Sequence, residues 1–237
     1  FPTNATEQDL LIQREDDPVA RLGSSGTIVY MPQCDRLSSA KARTLVEHAV
    51  RDMARVYRRA IAQGLRLYVN NRRVEAFDPT YSMANARHAR FLEADPRTSR
   101  LIVGRPIDLP LSEHGAETDK ITVRIFRLPI EEWSALPRKT LRNDLQVFNG
   151  MTVSILRNDR EVFAGAMPEL TTRHSVTHWY RIQIDFPGTL DEAFGVAANK
   201  QGVRLKAYVM EALKKEFGND ITSLNDEIKR FQGQQAS

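Results

Sequence analysis

The side chains able to do chemistry in this chain are mostly not spaced to act together. His174 and His178 stand four apart, the separation that sets two imidazoles on one helical face as metal ligands. Yet the segment leads into a strand, and no Glu or Asp accompanies the pair in the zincin pattern. Glu131 and Glu132 read as the solvated start of a helix rather than a catalytic carboxylate pair. Cys34 is the single cysteine, which excludes an internal disulfide framework and a cysteine-rich zinc site and reads as a small buried residue. A nucleophile elbow, a Walker-type phosphate loop and a dinucleotide fingerprint are all absent, so nothing here is a self-contained active site. What stands out is Lys200. The run Asn199-Lys200-Gln201-Gly202 lies between a strand and a helix, two rigid elements able to aim a lysine. By composition alone, it is an exposed loop lysine.

Hydropathy patterning supplies the elements that must position these groups. Residues 1–25 read as irregular structure with at most one short strand near Leu10. Thr27, Ile28, Val29, Tyr30 and Met31 then form a β-branched and apolar run between Gly26 and Pro32, the pattern of a buried strand. Ser38 and Ser39 offer N-caps to a helix with apolar residues at Leu45, Val46, Ala49, Val50, Met53, Tyr57 and Ile61, stopped by Gly64. It is expected to be the longest helix. Leu65, Leu67 and Val69 alternate, Asn70-Asn71 suits a tight turn, and Val74 to Phe77 returns, which predicts a hairpin. Residues 80–118 yield one strand at Leu101 to Val103 and no further order. Ile121, Val123 and Ile125 mark another strand, Glu131 to Leu136 a short helix, and residues 151–163 a second hairpin turning through Arg157-Asn158-Asp159-Arg160. Tyr180, Ile182, Ile184 and Phe186 alternate with Arg181, Gln183 and Asp185, the signature of a half-buried strand. Two amphipathic helices end the chain, one carrying Leu205, Val209, Leu213 and Phe217, the other Ile221, Leu224, Ile228 and Phe231, with Gly218 as the break between them. Strands in the middle, helices on both flanks and no regular βαβ alternation predict an α+β fold rather than a doubly wound one.

The net charge of +4 suits contact with phosphates, but the Lys and Arg are scattered, and a strong nucleic-acid signature is missing. No run of about 18 apolar residues exists, and the acidic, weakly apolar N-terminus is unlike a signal peptide. The expectation is a soluble, cytoplasmic protein without membrane contact. Because the chain begins with Phe1 rather than Met, it is expected to be a piece of something longer.

The strand from Tyr180 to Pro187, an acidic-apolar stretch with Leu190 and Phe194, and then Asn199-Lys200-Gln201 resemble the strand, loop and lysine of the transducer domain in GHKL ATPases. That superfamily holds gyrase, MutL and the ninety-kilodalton heat-shock chaperones. The Asn-Lys-Gln tripeptide, and the hairpin through Arg157 and Arg160, are most similar to the MORC branch, in which an Asp follows the tripeptide where this chain has Gly202. Upstream, Gly26-Thr27-Ile28-Val29 resembles the glycine-threonine motif on the last strand of the Bergerat-type ATP-binding fold.

The resemblance implies residues 1–36 as the C-terminal remnant of the ATP-binding domain, residues 37–232 as a transducer domain with a mixed sheet, flanking helices and a ribosomal-protein-like βαβ core, and residues 233–237 as a disordered tail. It implies Lys200 as the γ-phosphate sensor, with Gly26, Thr27, Asn199 and Gln201 as nucleotide-binding residues; Thr27 reads equally well as an ordinary β-branched strand residue. ATP and Mg2+ are the implied cofactors of the intact protein. The implied partners are its own N-terminal ATP-binding domain, a second copy in a homodimer and, in some branches, DNA. The Glu-x-x-x-Asn helix, the Asp-x-Gly-x-Gly and the glycine-rich lid of the family's ATP-binding half do not occur upstream of Thr27. The chain alone is therefore expected to be inactive and to hold no nucleotide, and the intact protein to be an ATP hydrolase. Two other classes stay open. One is a nucleic-acid-binding module without nucleotide chemistry, weakened by the lack of a strand face that interleaves aromatics with Arg and Lys. The other is a structural dimerisation domain using the final amphipathic helix.

Overall fold

The structure, a computed structural model, describes residues 37, 39, 41–91, 99–171, 175–196 and 203–235. The chain divides into two compact units, Phe1–Asp52 with Arg66–Val74, and Met53–Leu65 with Glu75–Ser237.

Helix α1 (Ala42–Val56) opens the described chain, and the Ser39 hydroxyl accepts a hydrogen bond from the Lys41 N–H just before it. The helix gives way at Tyr57, and a short α2 (Arg58–Ala62) continues to Gly64, whose φ of +110° ends it as expected. In the first unit, β1 (Tyr68–Val69) and β2 (Arg72–Arg73) form the predicted hairpin, turning through Asn70 and Asn71 at φ of 48° and 60°.

The second unit is built on a sheet ordered β3-β4-β7-β5-β6. Its strands are β3 (Arg100–Pro110), β4 (Thr118–Arg127), β5 (Val153–Arg157), β6 (Arg160–Gly165) and β7 (Tyr180–Phe186). All neighbours are antiparallel except β5 and β7, which run parallel, so the sheet is mixed. A short α3 (Ile130–Trp133) follows β4, and the chain ends in α4 (Ala207–Gln235). The α+β class predicted from patterning is therefore present.

Register gives the sheet two unlike faces. Val123 pairs with Ile184 and Ile125 with Ile182, while Val153 and Ile155 lie beside the same two isoleucines, so one face is continuous branched aliphatic surface. Val209, Leu213, Phe217, Ile221, Leu224 and Ile228 of α4 join it in one core. Each such side chain contributes about 1.5–3 kcal/mol when fully buried. The opposite face carries Arg124, Arg181, Gln183 and Asp185, with Ser154 beside Gln183.

Three expectations are corrected. Gly218 does not break the C-terminal region: α4 runs 29 residues through it and is longer than α1. A glycine inside a helix costs about 1 kcal/mol, which the apolar stripe packing on both sides of it outweighs. Residues 80–118, where only Leu101 to Val103 was expected to be extended, hold the 11-residue β3. Finally, β7 is not half-buried, because Arg181 and Gln183 on its polar side are enclosed as well.

Candidate functional site

Gly26, Thr27, Asn199, Lys200 and Gln201 all lie outside the described residues, as do Cys34 and His174. The chain on either side of residues 197–202 is described, and it is tightly held. After β7 comes a 3-10 turn (Gly188–Leu190), then a further turn in which Phe194 N–H donates to the Leu190 carbonyl and Val196 N–H to that of Asp191, each at 3.0 Å. Leu190, Ala193 and Phe194 are fully buried, and the Phe194 ring stacks on Phe186 of β7 at 3.9 Å with planes 3° apart. Across the segment, Arg204 N–H donates to the Phe194 carbonyl and Lys206 N–H to Ala193, both at 3.0 Å, just before α4 begins. Gly195 sits at φ +55°, where an added Cβ would lie 2.2 Å from the Arg204 carbonyl oxygen. The two flanks thus touch backbone to backbone at a point only glycine permits.

A side-chain clamp joins this turn to the β5–β6 hairpin. Arg157 donates from Nε and Nη2 to the two oxygens of Asp191, at 2.5 and 2.8 Å. Such a planar two-point pair fixes orientation as well as distance. The hydrogen bonds that Arg157 donates to Asp191 hold its pKa above the ordinary value.

The polar face of the sheet forms a second constellation, centred on Arg58 of α2. Its guanidinium donates to Glu161 of β6 at 2.6 Å, Ser154 of β5 at 2.8 Å and Gln183 of β7 at 3.2 Å, and lies 3.7 Å from the Asp78 carboxylate. Arg55 also pairs with Glu161, and Arg59 with Asp159 and Asp185. Burial lowers the Arg58 pKa to about 10 despite the nearby Asp78. Burial alone would raise the Asp78 pKa, but Arg58 and hydrogen bonds from Thr80 and Met83 hold it below the usual carboxylate range. The Asp78 carboxylate accepts the N–H groups of Thr80, Ser82 and Met83. That cradle supports Tyr81 at φ +55°, a conformation costly for a bulky residue. Tyr81 is further tied by its hydroxyl, 2.5 Å from the Leu145 carbonyl, and by edge-on contacts with His88 and Trp133.

The hydroxyls that meet carboxylates in this network, Ser154 on Glu161 at 2.5 Å and Thr80 on Asp78 at 2.7 Å, are themselves enclosed. Its principal charges are neutralised internally, and Arg58, Asp78 and Glu161 are at most 3 % exposed. It holds α2 and the loop at Asp78 to the sheet. Sequence reasoning missed it, although one signal existed: Arg58 follows Val50 by eight and Ala54 by four, on the buried stripe of the helix. His178 lies edge-on to Phe148 at 5.2 Å. Burial and then the Arg181 charge lower its pKa. Among the described residues no group of three or more metal-ligating side chains converges, and no helix is long and apolar enough to cross a membrane. No family model, curated protein or solved structure matches this chain.

Proposed function

We propose that this chain is the transducer portion of a GHKL ATPase of the MORC-like type, and that Lys200 reads the γ-phosphate of ATP held by the protein's own N-terminal ATP-binding domain. The observation that carries this reading is the anchoring on both sides of the lysine segment: the Gly195–Arg204 approach, the Phe194 and Ala193 carbonyls bonded to Arg204 and Lys206, and the Arg157–Asp191 clamp. A sensor must be held by rigid elements if a single contact is to move a domain, and the described flanks of the segment are tied to β7, to the β5–β6 hairpin and to the start of α4.

In this reading Lys200 donates to the γ-phosphate, a contact ADP cannot offer. A charge-assisted hydrogen bond contributes about 1.5–3 kcal/mol, and only a difference in affinity between nucleotide states can shift a docking equilibrium. Asn199 and Gln201 flank the contact, Gly26 and Thr27 lie on the adenine side, and the Mg2+ ligands belong to the ATP-binding half. Dimerisation of two copies and hydrolysis are then coupled to the position of the lysine segment, with DNA as the substrate of the resulting movement. Binding isotherms for ATP and ADP on the full-length protein and its Lys200→Ala variant test this. The expected result is a roughly ten- to hundredfold loss of preference for ATP with ADP affinity unchanged. Parallel losses for both nucleotides, or no loss, would make Lys200 an ordinary loop lysine.

A further inference from the structure

The hairpin of the first unit carries a surface that neither the core nor the lysine segment accounts for. Its ladder pairs Tyr68 with Arg73 and Val69 with Arg72, and the Val74 N–H donates to Leu67 at 2.8 Å to continue it. With side chains alternating across the ribbon, Leu67, Val69 and Val74 share one face, and Val74 is buried. Arg66, Tyr68 and Arg73 share the other, all exposed, with the exposed Asn70 and Asn71 at the tip; Arg72, opposite Val69, is exposed on the first face. Sequence reasoning found no strand face interleaving aromatics with basic residues; here the register sets Arg73 opposite Tyr68, and Arg66 lies two residues before Tyr68, just outside β1.

Arg66, Arg72 and Arg73 make no ion pair or hydrogen bond through their side chains with any described residue. Glu75, the nearest acid in sequence, is already paired with Arg90 at 2.7 Å. Uncompensated guanidiniums on one short ribbon repel one another, and a polyanion relieves that repulsion while releasing its own counterions. Arginine rather than lysine favours phosphate over a generic acidic surface, because the planar fork donates to two phosphate oxygens at once. Tyrosine and asparagine are further phosphate donors of the kind found around nucleic-acid backbones. A lipid surface fits less well, since Leu67, Val69 and Val74 lie on the face of the ribbon opposite Tyr68.

We propose that the hairpin Arg66–Val74 is a contact surface for the phosphodiester backbone of a nucleic acid, with Arg66 and Arg73 on phosphates either side of Tyr68 and Arg72 reaching a further phosphate from the edge of the ribbon. This holds whether or not Lys200 senses a nucleotide.

The test is fluorescence anisotropy with a labelled duplex of arbitrary sequence and the matching single strand, between 50 and 200 mM salt, on the full chain and its R66Q/R72Q/R73Q variant. All three positions are exposed, so the variant should fold, checked by an unchanged urea midpoint. Affinity for at least one of the two forms should fall more than about tenfold, and the slope of log affinity against log salt should become shallower by about 1 per arginine removed. Greater loss on the single strand than on the duplex for Tyr68→Ala would assign the ring to base stacking, and equal loss to a phosphate contact; both support the surface. An unchanged slope and affinity in the triple variant would overturn the proposal. So would arginine-dependent binding to phosphatidylserine vesicles without binding to either nucleic acid.

Discussion

Arg58 shows what one residue decides in this molecule. Its guanidinium is enclosed and meets Glu161, Ser154, Gln183 and Asp78 together, so removing it takes the paired cation from buried Asp78 and leaves buried Glu161 with Arg55 alone. Breaking a buried pair from one side costs about 3–5 kcal/mol, and Arg58→Ala should lose that much in urea denaturation. Arg58→Met combined with Glu161→Leu should lose clearly less than the two single changes summed; strict additivity would mean that the pair does not interact. His88 is the other telling residue. It is buried, neither ring nitrogen has a hydrogen-bond partner, and burial lowers its pKa although Asp78 opposes the shift. The unfolded chain takes up this proton near pH 6.5 and the folded chain only below that. Stability is therefore independent of this group above about pH 6.5 and falls as pH drops from there to the depressed folded value. Replacing His88 with Phe, which keeps the edge-on packing against Tyr81, should flatten that part of the curve. Urea midpoints at pH 7.5, 6.5 and 5.5 measure it, and identical pH dependence in both proteins would contradict the assignment.

At the scale of elements, two glycines predict opposite outcomes. Gly195 is in the left-handed region with the Arg204 carbonyl where a Cβ would go. Gly195→Ala should cost at least about 1–2 kcal/mol from the backbone conformation alone, more because backbone meets backbone, and it should loosen the flanks of residues 197–202. Faster amide exchange at Arg204 and Lys206, whose N–H groups close those flanks, is the expected signature; unaltered protection would show that the turn is not the anchor. Gly218 lies inside α4 with open space where a Cβ would go. Gly218→Ala should stabilise by about 0.5–1 kcal/mol, read as a rise in the urea midpoint. A fall there would imply that the glycine serves a purpose beyond the helix.

At the scale of the whole molecule, the two faces of the central sheet divide the labour. The aliphatic face and α4 form the core, which is non-directional and set by the pattern of apolar residues. The polar face holds α2 and the Asp78 loop through directional bonds, each of which needs its partner in place. Alternation and helical periodicity in the sequence determined most of the elements, the α+β class, both hairpins and the apolar stripe of α4, because a period of two or 3.6 is a local property of the chain. They also picked out the stretch between β7 and α4 that frames Lys200. Tertiary structure alone decided the rest. Gly218 reads locally as a stop and is overridden by packing on both sides. Arg181 and Gln183 read locally as the wet side of β7 and are enclosed, Gln183 because Arg58, 125 residues away, reaches it. The Arg–Tyr–Arg face of the first hairpin exists only once Tyr68 and Arg73 are paired. A residue's own type and neighbours fix its conformational preference, whereas burial and the partners of a charge depend on what the folded chain brings opposite it.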